Sequence, residues 1–229
     1  MNNITTVAFD ADDTLWANEL FFRQGEDEFV SMLAGFGTPE EVIGKLYAQE
    51  LQTLHLYGYG IKSWVISMVE TAVDISGGRV DPSVIKRIVE IGRAQMERPV
   101  EVYEGVREVL EALSGKYRLV MATKGDLLDQ WRKIGKSGLR DYFSHVEIMS
   151  DKKQNDYRRL LEGLGSQPGE FMMVGNSLKS DIAPVIELGG YAVHIPCDNT
   201  WLHETVADFD GRHPNFRLAE RITDILDYI

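Results

Sequence analysis

The chain contains one cysteine, Cys197, in 229 residues, so no internal disulfide framework is available and a reducing compartment is expected. No apolar run reaches the ~18 residues that a membrane-crossing helix requires, and the opening MNNITTVAFD lacks the basic stretch and apolar core of a secretory leader. These absences predict a cytoplasmic protein with no membrane partner. Basic residues are also scarce, 24 Lys and Arg against 36 Asp and Glu, for a formal net charge of -12. That balance excludes a nucleic-acid polymer as partner, because polyanion-binding proteins carry a basic surface. A small anion remains compatible if a few lysines or a metal ion reverse the field locally. The histidines His55, His145, His194, His203 and His213 show no ligand spacing such as His-x3-His and receive no catalytic role. No internal repeat is evident, and oligomeric state is not readable here.

What remains is an ordinary globular composition, 44% hydrophobic and 26% charged, long enough for one large domain or a main domain with a smaller one. Residues 4–9 read as a short buried strand stopped by Asp10. From 17 to 98 the pattern is almost entirely helical. Thr38 with Pro39 and Glu41 forms a capping-box start, and Asp81 with Pro82 repeats the cap-and-proline signal. After Pro99, helices of ~10 to 15 residues alternate with the strands YRLVMAT, HVEIMS, EFMMVGN and YAVHIP, which predicts an α/β fold with a parallel, doubly wound sheet covered on both faces. The tail from Asp198 holds turn residues, a short strand at Phe216 and a closing helix. The expected organisation is therefore an α/β core domain of residues 1–16 and 99–229, interrupted by a helical domain of residues 17–98.

Ligands of open parallel sheets lie at the carboxyl ends of the strands, and the unusual polar clusters of this chain fall there. Asp10, Asp12 and Asp13 follow the first strand, and Thr123, Lys124 and Gly125 the second. Asp151, Lys152 and Lys153 follow the third, and Asn176 and Asp181 the fourth. Taken singly, each cluster reads as a cap, a turn or a solvated pair. The aromatic residues Trp16, Phe21, Phe22, Tyr57, Tyr59 and Trp64 read as core or hinge packing.

In combination, FDADDTLW, VMATKGD, SDKK and VGNSLKSD, in this order and with a helical insert after the first, resemble the haloacid dehalogenase-like hydrolase superfamily. The resemblance implies a Rossmann-like core with a cap domain and hydrolysis of a small phosphorylated metabolite, of the sugar phosphate or nucleoside monophosphate class. It makes Asp10 the nucleophile that forms an aspartyl-phosphate. Asp12 becomes the residue that protonates the leaving oxygen and then activates water. Neighbouring negative charge and partial burial are expected to raise the Asp12 pKa, while Asp13 is expected to turn outward or to cap the next segment. Thr123, with the amides of Lys124 and Gly125, is implied as a phosphate site, and Lys152 or Lys153, with Lys152 preferred, as the cation that stabilises the phosphoryl group.

Crowded carboxylates repel, and Mg²⁺, which takes oxygen ligands and keeps several waters, is the expected relief. The implied ligands are the Asp10 side chain, the Asp12 backbone carbonyl, and Asn176 and Asp181, either of which ligates directly or through water. Asn176 departs from the commoner aspartate after the glycine and brings no charge. A phosphomutase uses the same chemistry. A metal-independent 2-haloacid dehalogenase replaces the second aspartate, which is present here as Asp12. A non-catalytic regulatory protein on this fold would be expected to lack the nucleophile or the lysine.

Overall fold

The computed structural model describes residues 3–198, 201–204, 206 and 209–229; the start of the leader reading and five positions of the predicted tail, 199, 200, 205, 207 and 208, lie outside them. The chain divides into two compact units, one made of Met1–Glu19, Val100–Lys124 and Gln130–Ile229, the other of Leu20–Pro99 and Gly125–Asp129. The units thus divide a few residues later than the expected boundaries, and the five residues after Lys124 cluster with the second unit.

The first unit is built on a six-stranded parallel sheet, β1 (Thr6–Phe9), β2 (Arg118–Lys124), β3 (His145–Met149), β4 (Phe171–Gly175), β5 (Tyr191–His194) and β6 (Phe216–Leu218), in the order β3-β2-β1-β4-β5-β6. Successive strand residues point to opposite faces, and both faces are apolar. Val7, Phe9, Leu119, Met121, Met172 and Val174 enter one core with Leu110 and Ile134. Ala8, Val120, Ala122, Phe171 and Met173 enter a second core with Tyr157 and Leu161. This two-sided burial is why the strands read as continuous apolar runs rather than as alternating ones. The helices that cover the sheet are α5 (Val106–Leu113), α6 (Leu127–Ser137), α7 (Gln154–Leu164) and α8 (Ala183–Glu187). The closing helix consists of 3-10 turns over Ile222–Asp227.

The second unit holds α1 (Glu19–Met32), α2 (Pro39–Tyr57), α3 (Ile61–Ile75) and α4 (Pro82–Glu97), around a separate core that includes Phe29, Leu46, Trp64, Met68 and Ile88. Thr38 accepts from Glu41 N while Glu41 accepts from Thr38 N, and Asp81 accepts from Ser83 N, as the cap signals predict. The long helical stretch breaks at Gly58 and Gly60, whose φ of 72° and 116° no ordinary side chain adopts cheaply. Tyr57, just before the break, is 55% exposed, whereas Trp16, Phe21 and Trp64 are buried. Among the described residues no helix is long and apolar enough to cross a membrane.

Candidate active site

Strand register assembles the site. Phe9 pairs with Met121 on β2 and with Val174 on β4, so the residues that follow them emerge together at the carboxyl end of the sheet. Asp10 comes one residue on, its N–H still bonded to Val174 O at 2.9 Å, and Thr123 and Asn176 come two residues on. β1 and β4 are neighbours here although their sequence order reverses, which is where open α/β sheets form their crevice. Lys152 arrives three residues after Met149, the partner of Lys124 in the β2–β3 ladder.

Lys152 Nζ donates to Asp10 Oδ1 at 2.5 Å and to Asp181 Oδ1 at 2.7 Å, and all three side chains are buried. Burial pushes the Asp10 carboxyl up to about 7 against the pull of the Lys152 ammonium, with the Asp181 charge adding to the rise. The two carboxylates overcome the same burial at Lys152 and raise its pKa, so the ammonium stays protonated. Lys153 goes elsewhere, its exposed ammonium 2.8 Å from Asp151 Oδ2. The other Asp181 oxygen, Oδ2, accepts from Ser177 N at 3.0 Å. It lies in a π-helical turn, residues Leu178–Ile182, that opens the start of α8, a widening common at functional sites.

Asp12 meets a second lysine. Lys133 Nζ donates to both of its oxygens, at 2.7 and 2.6 Å, Trp16 Nε1 to Oδ1 at 2.7 Å, and Gln130 Nε2 to Oδ2 at 2.8 Å. Burial alone would push this carboxyl up, but the Lys133 charge and these donors outweigh it and hold the pKa below the ordinary value. The expected rise is corrected accordingly: the charge nearest Asp12 is an ammonium, not a carboxylate. Asp13 is buried and does not turn outward. From a left-handed φ of 61° its carboxylate accepts from Asn18 N at 2.9 Å and from Glu19 N at 3.0 and 3.1 Å, capping the first turn of α1.

Thr123 is 1% exposed and, among the described residues, its hydroxyl has no hydrogen-bond partner, an orphaned donor that a ligand oxygen would satisfy. Lys124 sends its ammonium to Ser180 Oγ at 2.8 Å and Glu204 Oε1 at 2.5 Å. Gly125, at φ 140°, clusters with the second unit. Asn176 is half-buried; its main-chain carbonyl is within 2.9 Å of His194 Nε2, while its Oδ1 lies 3.4 Å from Thr14 Oγ1, the hydroxyl that also donates to Asp10 Oδ2 at 3.1 Å. Asp10 Oδ2 and Asn176 Oδ1 thus both lie within 3.4 Å of one hydroxyl. That pair is a hard-oxygen set suited to Mg²⁺, with one charge rather than two. Among the described residues no group of three or more His, Cys, Asp or Glu side chains is arranged to hold a metal. Sequence reasoning missed Thr14, Gln130, Lys133 and Glu204, whose roles depend on contacts made across the fold.

Residues 4–189 match the family described as haloacid dehalogenase-like hydrolase. A crystal structure of a haloacid dehalogenase-like family hydrolase from Xanthomonas campestris is 36% identical with a TM-score of 0.85, covering 97% of this chain and 92% of that one. Rattus norvegicus N-acylneuraminate-9-phosphatase is 24% identical over 200 residues, 82% of this chain and 81% of its own. Pyrococcus furiosus glyceraldehyde 3-phosphate phosphatase is 27% identical over 193 residues, 80% of this chain and 76% of its own.

Proposed function

The chain belongs to the haloacid dehalogenase-like hydrolases, and on that premise we propose that it is a Mg²⁺-dependent phosphatase of the cytoplasm acting on a small phosphomonoester through an aspartyl-phosphate. The observation that carries this reading is the buried Asp10–Lys152–Asp181 triad: a carboxylate aimed at the end of β1 with a cation fixed against it. The Asp10 carboxylate attacks phosphorus, the bond from phosphorus to the leaving oxygen breaks, and Asp12, ionised in the free protein, passes to that oxygen a proton that it first takes up from solvent as substrate binds. Water then attacks the aspartyl-phosphate, Asp12 takes its proton, and phosphate leaves with Asp10 restored. The base half of that role is the one an ionised Asp12 is ready for. Lys152 offsets charge on the phosphoryl oxygens, and Thr123 donates its hydroxyl to one of them, with backbone amides of Lys124 and Gly125.

Asp10, the Asp12 carbonyl, Asn176 and Asp181, the last directly or through water, would hold the Mg²⁺, and Asp181 also restrains Lys152. When bound, the ion supplies positive charge against the phosphate and the nucleophile. The helical unit is assigned the role of a cap that selects substrate. Sugar phosphates and nucleoside monophosphates both remain the substrate classes to test, since phosphatase relatives carry in their names a phosphorylated acylneuraminate, a phosphorylated glyceraldehyde and a phosphorylated ribitylamino-uracil.

The deciding experiment is hydrolysis of p-nitrophenyl phosphate and a panel of sugar phosphates and nucleoside monophosphates with and without Mg²⁺. Turnover is expected to need the ion and to fall by about 10³-fold or more in Asp10→Asn, with the far-UV circular dichroism unchanged. Consumption of 2-haloacids with no phosphatase activity would overturn the reading.

A further inference from the structure

Asp10 and Asp12 each have a lysine of their own, and only the first of these, Lys152, is explained by the proposed chemistry. Lys133 lies on α6, outside the four strand-end clusters, 121 residues from Asp12. Its ammonium touches both Asp12 oxygens and Asn18 Oδ1, the last at 3.2 Å. Gln130, one helical turn earlier on the same face of α6, grips Asp12 Oδ2 and donates also to Lys124 O at 2.8 Å, tying the end of β2 to the same carboxylate. Trp16 completes the set from the chain that leaves β1. Four donor contacts thus fix the direction of one short side chain that otherwise rotates freely. Such over-determination is more than a surface ion pair needs, since exposed pairs contribute little, and side chains locked by their neighbours are what place a reacting group to within a fraction of an ångström.

We infer that Lys133, with Gln130, is a positioning residue for the reaction: the pair holds the Asp12 carboxyl in the orientation from which it serves the leaving oxygen. This inference rests on the phosphatase reading above. Its consequence falls on one step, the departure of the alcohol, and therefore depends on how much help the leaving oxygen needs. A dinitrophenolate leaves without a proton, whereas a sugar alkoxide does not. Loss of Lys133 also removes a charge that holds Asp12 ionised, but it lets the carboxyl spread over other rotamers, and this loss of direction penalises poor leaving groups selectively.

The test is kcat/KM, which reports steps only through alcohol departure, across aryl and alkyl phosphates of decreasing leaving-group acidity. In Lys133→Met the value is expected to drop by at least about tenfold for alkyl esters and by less than about threefold for 2,4-dinitrophenyl phosphate, so that the plot against leaving-group pKa steepens. Lys133→Arg restores most of the loss, and Gln130→Leu shows a smaller steepening. Adding Lys133→Met to Asp12→Asn costs little more, because both act through one group. An equal loss on every ester, as general damage to the fold would give, overturns the inference, and so do unchanged kinetics or fully additive losses. A wild-type protein inactive on all phosphate esters would remove the phosphatase reading and this inference with it, an outcome distinct from a normal wild type whose Lys133 variant keeps its slope.

Discussion

Asp10, Asp12 and Asp13 occupy one short turn of chain, yet each carboxylate is matched by a different part of the fold: Lys152 after β3, Lys133 on α6, and the amides that open α1. Repulsion within the cluster is thus relieved by the protein itself, and an ion would add to this arrangement. Asp13 caps the start of α1, and it also lies 3.5 Å from the Tyr103 hydroxyl. It must adopt φ 61°, which Asn and Asp tolerate better than other side chains, and it must accept from two amides. Asp13→Ala is expected to cost about 1–2 kcal/mol in denaturant unfolding, while Asp13→Asn keeps most of the stability because it retains both the backbone preference and an acceptor. Equal losses in the two variants would mean that the carboxylate charge, and not a neutral acceptor in the same backbone conformation, carries the cap. The positions of Asp10, Thr123, Lys152 and Asn176 at strand ends were legible, because a strand in a parallel sheet delivers its last residue to a fixed edge. Lys133 was not. On α6 the apolar Leu127, Leu128 and Trp131 are 44–63% exposed while Gln130 is buried, so periodicity alone points to the wrong face.

At the scale of elements, the passage from β4 into α8 determines whether Lys152 is held. Ser177 caps this passage, accepting from Ser180 N at 2.9 Å, and the wide turn that follows places Asp181 beneath the end of β4. The backbone at Gly175 comes so near that a Cβ there would lie 2.3 Å from Asp181 Oδ2. Its φ is not positive, so close approach and not backbone freedom demands the glycine. Gly175→Ala must displace a buried carboxylate that anchors a buried ammonium. The expected result is a loss of about 1–3 kcal/mol in stability and at least a tenfold fall in kcat on p-nitrophenyl phosphate. Gly163→Ala, within α7 and with nothing inside 4 Å of the added carbon, is the control and should gain up to about 1 kcal/mol. If both variants keep full activity, the contact does not transmit to Lys152. Strand and helix identities were readable from two-sided apolar runs and from cap signals at Thr38 and Asp81. The π-helical turn was not, since SDIAPVIELGG reads as one helix and the widening is set by the tertiary bonds of Asp181.

Across the whole molecule, a chain of net charge -12 gathers Lys124, Lys133 and Lys152 at one end of its sheet and matches each with carboxylate. A parallel sheet was legible, but its order β3-β2-β1-β4-β5-β6 was not, because order depends on which side of β1 each crossover returns. The tail was least legible, and it supplies the third of these pairs. Glu204 is buried, 2.5 Å from Lys124 Nζ, and accepts from Ser177 Oγ at 2.7 Å and Ser180 Oγ at 2.5 Å. Burial pushes its carboxyl up, but Lys124 and the two hydroxyls prevail and lower it to about 2 from 4.5. A folded-state pKa below the unfolded one means that the contribution is complete above about pH 4.5 and disappears as pH falls toward 2. On the order of 1–3 kcal/mol is at stake. Wild type and Glu204→Gln should therefore differ by that amount in urea unfolding at pH 6 and converge between pH 4.5 and 2, with little change on adding salt because the pair is shielded from water. Stability curves that stay parallel down to pH 2 would show that the tail is not fastened to the strand ends through an ionised Glu204.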